Sequence, residues 1–156
     1  MERWFFFDRS GRTDPARSRT LAVLNPAQIP PVEPAELLAR FVLYSRHFRI
    51  SDNSVKPEAF MPHPSVMLSL TRHREASVEG IWREGDRVAA IRRATLYGRA
   101  DVLVTAFLDE GLHVESKPIP ENPNHAGASN WPADKPSQKI KALQIASKAK
   151  YVPRQN

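Results

Sequence analysis

The segment from 118 to 135 constrains this chain more than any other stretch. Its four prolines and three asparagines fix φ, remove donors and favour turns, so neither helix nor strand is expected through it. A structureless loop of that length inside a compact domain is usually functional or disordered. His125, Trp131 and the run Ala126-Gly127-Ala128-Ser129 are unlike an aromatic-poor disordered linker, which favours order. The segment also ends in a helix start, with Asp134 suited to the N-cap and Pro136 to the first turn. Free N–H groups and the positive end of the helix dipole then face the loop, and Lys135 and Lys139 add charge. This is one expected anion site. The plainer alternative is a capped helix with a structural loop, since every helix needs a start.

Charge makes the anion reading worth pursuing. The 156 residues carry a net charge of +6, and sixteen of the 23 cations are Arg, the side chain suited to bidentate phosphate contacts. An anionic partner follows as the expectation: nucleic acid, a nucleotide or an acidic protein. The chain has no cysteine, which excludes disulfides, Cys-based zinc sites and a thiol nucleophile. Its five histidines include no His-x-x-x-His pair, so neither a metal nor another cofactor is expected. The apolar run Trp4-Phe5-Phe6-Phe7 is too short for a bilayer span or a signal-peptide core, so no membrane partner and a cytoplasmic location are expected.

The order of segments predicts one α+β domain of about three helices and two to four short strands. Residues 1–33 read as an N-terminal arm, residues 34–152 as the globular domain and 153–156 as a tail. Within the arm, Met1–Phe7 is a possible strand, and Pro26, Pro30, Pro31 and Pro34 block regular structure. The arm's first twenty residues are expected to be dispensable for folding. Pro34-Ala35-Glu36 looks like a helix start, with Leu37, Leu38, Phe41 and Val42 at helical spacing and a strand possible from Phe41 to Tyr44. Lys56–Phe60 suits a single helical turn, and Val66–Thr71 alternates as a half-buried strand. Ser77 is expected to cap a helix reaching about Arg93, and Asp101 to cap another from Val102 to Glu110 that stops at Gly111. Leu112–Glu115 reads as a strand, and Lys135 to about Lys150 as the last helix, with a stripe of Ile140, Ala142, Leu143, Ala146 and Ala149. The expected core is Phe41, Val66, Leu68, Leu70, Ile81, Trp82, Val88, Phe107, Leu112, Val114 and Leu143.

Three constellations carry chemistry. Arg46, His47, Arg49 and Lys56 place permanent cations around a titratable His, a set suited to phosphate or to a solvated surface. Arg72-His73-Arg74 ends a strand, where loops often carry function, though polar residues there also mark a strand leaving the core. His125 lies near Trp131, Asp134 and Lys135, placed for acid–base work or for bracing the loop against backbone carbonyls. No Ser-His-Asp motif, P-loop or dinucleotide fingerprint is present.

From about Leu38 to Val152 the chain resembles a set of small uncharacterised bacterial proteins. The residues that carry it are Ser45–Phe48, Val55–Phe60, Leu68-Ser69, Gly98–Asp101, Gly111–Val114, His125-Ala126 and Trp131–Lys135. The resemblance implies a folding unit and names no chemistry. Two positions depart from it: Ala128 replaces a β-branched aliphatic residue, and Asn130 replaces a Gly before the Trp. Asn is able to adopt the left-handed conformation of that Gly, so the turn is expected to survive.

Three functions fit these features. The first is a basic accessory protein contacting nucleic acid or a nucleotide-bearing partner through Arg46, Arg49, Lys56, Arg72, Lys135 and Lys139. The second is a small metal-independent enzyme acting on a nucleotide or phosphodiester, with His47 and His125 as the acid–base pair and Lys56, Arg72 or Lys135 stabilising the anion. The third is a protein-interaction module of a larger assembly. Convergence of His47, Lys56 and His125 in one pocket favours the enzyme, whereas cations spread over a flat face favour binding.

Overall fold

A computed structural model describes residues 25, 28–62, 64 and 66–155. The Trp4–Phe7 run, the possible strand Met1–Phe7 and the dispensable first twenty residues lie outside them. Among the described residues the domain is α+β, with three α-helices and eight strands, more strands than expected. The strands are β1 (Leu37–Val42), β2 (Phe48–Arg49), β3 (Ser54–Val55), β4 (Leu68–Arg72), β5 (Gly98–Leu103), β6 (His113–Ser116), β7 (His125–Ser129) and β8 (Lys150–Pro153). The helices are α1 (Val78–Ile91), α2 (Val104–Leu108) and α3 (Lys135–Lys148). Six strands form one antiparallel sheet in the order β6-β7-β4-β1-β5-β8, and β2 and β3 make a separate hairpin.

Register divides the sheet into two faces. Opposite residues in paired strands share a face, so Leu38, Leu70, Ala100, Val102, Ala126 and Tyr151 lie together on one side. There they meet Phe60, Phe107, Leu112 and the Ala142, Ile145 and Ala146 face of α3 to form the core. Phe60 and Phe107 pack edge to face, with ring centroids 6.1 Å apart. The opposite face carries Ser69, Thr71, Arg99 and Asp101 and is partly covered by α1. Gly85 of α1 sits against Phe41 and Leu96, so close that a Cβ there would lie 2.9 Å from both side chains.

Several expected elements are realised. Ser77 caps α1 by accepting from the Gly80 N–H at 3.0 Å. Asp134 caps α3 by accepting from the Ser137 N–H at 2.9 Å. Pro57–Phe60 forms a 3-10 turn. Gly111 follows α2 at φ 77°, the left-handed conformation that costs Gly nothing. Asn130 has φ 71°, and its amide donates to the Gly111 carbonyl at 3.0 Å, so the turn before Trp131 is made with Asn.

Other expectations are corrected. Leu37–Val42 is a strand, because hydrogen-bonding neighbours on both sides outweigh its helical spacing, and Pro34 and Ala35 form only a turn. Asp101 caps no helix; it lies within β5, and α2 begins at Val104. The supposed long loop contains β7, whose Ala and Gly residues have low strand propensity but are paired on both sides. Val66 is 41 % exposed at φ 64°, because the chain turns there before β4 begins. Leu143 and Ile140 are exposed, since α3 is rotated to bury Gln138, Ala142, Ile145 and Ala146. Phe41, Trp82, Val88 and Val114 are half-buried rather than core. Ile29 is buried, Val32 packs on the core, and β8 runs to Pro153.

Candidate functional site

The two cation-bearing loops meet in space. The 3-10 turn Pro57–Phe60 packs extensively on α3. Lys139 Nζ lies 3.3 Å from Glu58 of that turn. Lys56 precedes the turn and donates its N–H to the His47 carbonyl at 2.8 Å, tying the Ser45–His47 turn to the same region. Arg46 lies 4.7 Å over the Tyr44 ring, a cation–π contact that leaves it at the surface. Arg49 is exposed on the β2–β3 hairpin, and Lys135 is exposed in the first turn of α3. The Glu58 carboxyl is held below its usual range, first by a backbone N–H and then, against a burial cost, by Lys139 and Lys56. Arg46, Arg49, Lys56, Lys135 and Lys139 therefore belong to adjoining elements, with Glu58 as an internal counter-charge.

Arg72 does not join them. It is 1 % exposed, and its guanidinium donates to both Glu36 oxygens and to the carbonyls of Pro30 and Pro31. These bonds fasten the Pro30–Pro31 segment to β4. A buried guanidinium used in this way cannot meet an external anion, so its place in the expected anion set is corrected to a structural one.

His47 and His125 both line a cleft between α1 and the polar face of the sheet, with a volume of about 140 Å³. Lys56 is not part of its lining. Phe41, Ser69 and Thr71 contribute from the sheet, Glu84, Arg87 and Val88 from one stripe of α1, and Arg92 from its C-cap. Burial, reinforced by Arg46 and Arg40, pushes the His47 imidazole down to about 4, so it is neutral near pH 7. The Nδ1 of His125 lies 2.8 Å from the Lys117 carbonyl. A carbonyl only accepts, so Nδ1 carries the proton, and in that neutral tautomer Nε2 is an acceptor. His125 thus both braces the segment and offers a basic nitrogen. Arg87 and Glu84 pair through two bonds, including Nε to Oε2 at 2.9 Å, and largely neutralise each other.

A further polar group joins β4 to β5. His73 Nε2 lies 2.9 Å from Asp101 Oδ1, and Arg99 Nε donates to the same oxygen at 3.0 Å. The intervening strand presents Ala39 at this level, small enough for the pair to reach across it. Burial raises the Asp101 carboxyl, but His73 and Arg99 more than offset this, and the net direction is down. Arg99 Nη1 is buried without a hydrogen-bond partner among the described residues, and the guanidinium lies 4.6 Å from the Trp82 ring. Sequence reasoning misses this group because Asp101 reads as a helix cap. The available signal was the i, i+2 spacing of Arg99 and Asp101, which a strand places on one face.

Among the described residues no group of three or more His, Asp or Glu side chains could hold a metal ion, and no helix is long and apolar enough to cross a membrane. Comparison of the chain with family models, curated proteins and solved structures gives no match.

Proposed function

We propose that the protein binds a phosphate-bearing polymer, nucleic acid first among them, through the edge that carries Arg46, Arg49, Lys56, Lys135 and Lys139. The observation that carries this reading is the packing of the Pro57–Phe60 turn against α3, which joins cations from distant parts of the chain. Exposed Lys and Arg side chains on turns and at a helix start suit contacts that position a backbone without reading its sequence. A titration of short single- and double-stranded DNA and RNA across salt concentrations tests it. Affinity should fall steeply with salt, and Lys56→Ala with Lys139→Ala should flatten the slope by about one unit per lost contact, alike for all sequences. No detectable binding at low salt removes the reading.

A second reading, a small hydrolase of nucleotides or phosphodiesters, is favoured by the shared cleft of His47 and His125. It expects His125→Ala to abolish turnover while affinity for the strand survives.

A further inference from the structure

The cleft between α1 and the sheet differs in chemistry from the basic edge it adjoins. Its described charged groups largely satisfy one another or lie at its ends. Arg87 is held by Glu84, and Arg40 donates to the Ala59 and Ser69 carbonyls at 2.8 and 3.0 Å. The remaining lining mixes aromatic faces, an aliphatic wall and single hydrogen-bonding groups. Thr71 Oγ1 accepts from the Asn122 amide at 3.1 Å, which leaves its own hydrogen to donate. His125, donating from Nδ1 to Lys117, leaves Nε2 to accept. Phe41, Tyr44 and His47 line the sheet side with aromatic side chains, and Val88 lines the helix side.

A flat heterocycle needs such a lining: faces to stack on, one donor and one acceptor at its edge. The space of about 140 Å³ also fits one ring system rather than a larger ligand, for which pockets of roughly 300–1,000 Å³ are usual. Two exposed cations lie beside this lining. Arg92 is exposed and has no side-chain hydrogen bond or ion pair among the described residues. Arg46 lies over the Tyr44 ring, which itself lines the cleft.

From this arrangement we infer that the cleft is a nucleotide site, which takes the base of one nucleoside monophosphate inside and meets its phosphate at the rim with Arg92 and Arg46. The inference extends the proposed binding of a phosphate polymer by naming the unit that enters the fold. The nucleotide is either free or an unpaired residue of a strand, since both present the same base and phosphate.

Titration of the full chain with the four ribonucleoside 5′-monophosphates, with the matching nucleosides and with inorganic phosphate, followed by calorimetry and amide chemical shifts, tests this. At least one monophosphate should bind more tightly than both its nucleoside and inorganic phosphate. Shifts should concentrate at Ser69–Thr71, Glu84–Arg92 and His125. Thr71→Val, which loses the donor and also the acceptor used by the Asn122 amide, should weaken binding up to about tenfold, one hydrogen bond's worth, whereas Thr71→Ser, which keeps the hydroxyl, should bind as wild type does. Arg92→Ala should weaken the monophosphate and leave the nucleoside unchanged. Val88→Trp, which fills the cleft, should abolish binding; Thr71→Val and the shift map decide the matter if that variant does not fold. Inorganic phosphate binding as tightly as every nucleotide, or shifts confined to the basic edge, would overturn the site.

Lys56→Ala with Lys139→Ala separates the two readings. It should weaken long strands and leave the monophosphate unaffected. Monophosphate binding without any strand binding ends the polymer reading and keeps the cleft, whereas strand binding without any monophosphate binding does the reverse. Competition between a monophosphate and a strand with an unpaired end identifies the strand as a source. Its absence identifies the free nucleotide.

Discussion

Replacing Arg72 with Met should destabilise the domain by about 3 kcal/mol, a size that follows from its surroundings. Its guanidinium is 1 % exposed and pairs with Glu36, which is 13 % exposed, and it also satisfies the Pro30 and Pro31 carbonyls. Removing one partner of a buried ion pair costs about 3–5 kcal/mol, because the other charge is left unpaired. Glu36 retains some contact with water, which sets the expectation at the lower end. For a domain of this length, such a loss lowers Tm by about 6–12 °C. Urea unfolding followed by Trp fluorescence measures it. The double variant Arg72→Met with Glu36→Gln should recover at least about 1 kcal/mol, because no uncompensated carboxylate remains. The pH dependence supplies a second check. Burial raises the Glu36 carboxyl, but the hydrogen bonds from Arg72 and from the Glu33 N–H more than offset it, and the net shift is downward from 4.5. A depressed folded value gives stability that is present above 4.5 and lost as pH falls through the folded value. Wild type should therefore lose stability below about pH 4.5, and the double variant should lose less. A change under about 1 kcal/mol in the single variant, or a double variant no more stable than the single, refutes the reasoning. Strand affinity should be unchanged in any folded Arg72 variant, since this side chain reaches no surface.

Gly85→Ala should cost about 1–3 kcal/mol in chemical denaturation, because the new Cβ meets Phe41 and Leu96 at 2.9 Å and outweighs a helix-propensity gain of about 1 kcal/mol; a neutral or stabilising result would mean that α1 sits further from the sheet. Leu68→Ala, at 1 % exposure in β4, should cost about 2–5 kcal/mol, and a loss under about 0.5 kcal/mol would misplace that strand. His47 is lowered from 6.5 to about 4, chiefly by burial, so the folded state binds its proton more weakly than the unfolded state. Stability from this group is present above pH 6.5 and is lost as pH falls toward 4, and His47→Gln should flatten the unfolding profile in that window. An unaltered profile would show that the imidazole is as hydrated in the fold as in the open chain.

Local signals fixed the starts of α1 and α3. Ser77 and Asp134 each need only a side-chain oxygen and an N–H three residues on, and both caps form where the sequence places them. Gly111 and Asn130 likewise announce left-handed turns through intrinsic backbone preference. The alternation of Leu68 and Leu70 was legible for the same reason, since period two is a property of the strand itself. The exposed members of the anion set were legible as composition, with Arg and Lys in turns and at a helix start.

Pairing partners were not legible. Leu37–Val42 and His125–Ser129 are strands because neighbours bond to both of their edges, and those neighbours come from distant parts of the chain. The same long-range register carries Asp101 to His73 across Ala39 and takes Arg72 out of the anion set by burying it against Glu36. It also brings His47 and His125 to one cleft while leaving Lys56 outside. Caps, turns and strand periodicity are energies of a few adjacent residues, so the sequence alone determined them; which strands lie side by side, which cations stay exposed and which side chains share a cleft depend on contacts between distant segments, and only the tertiary structure decided those.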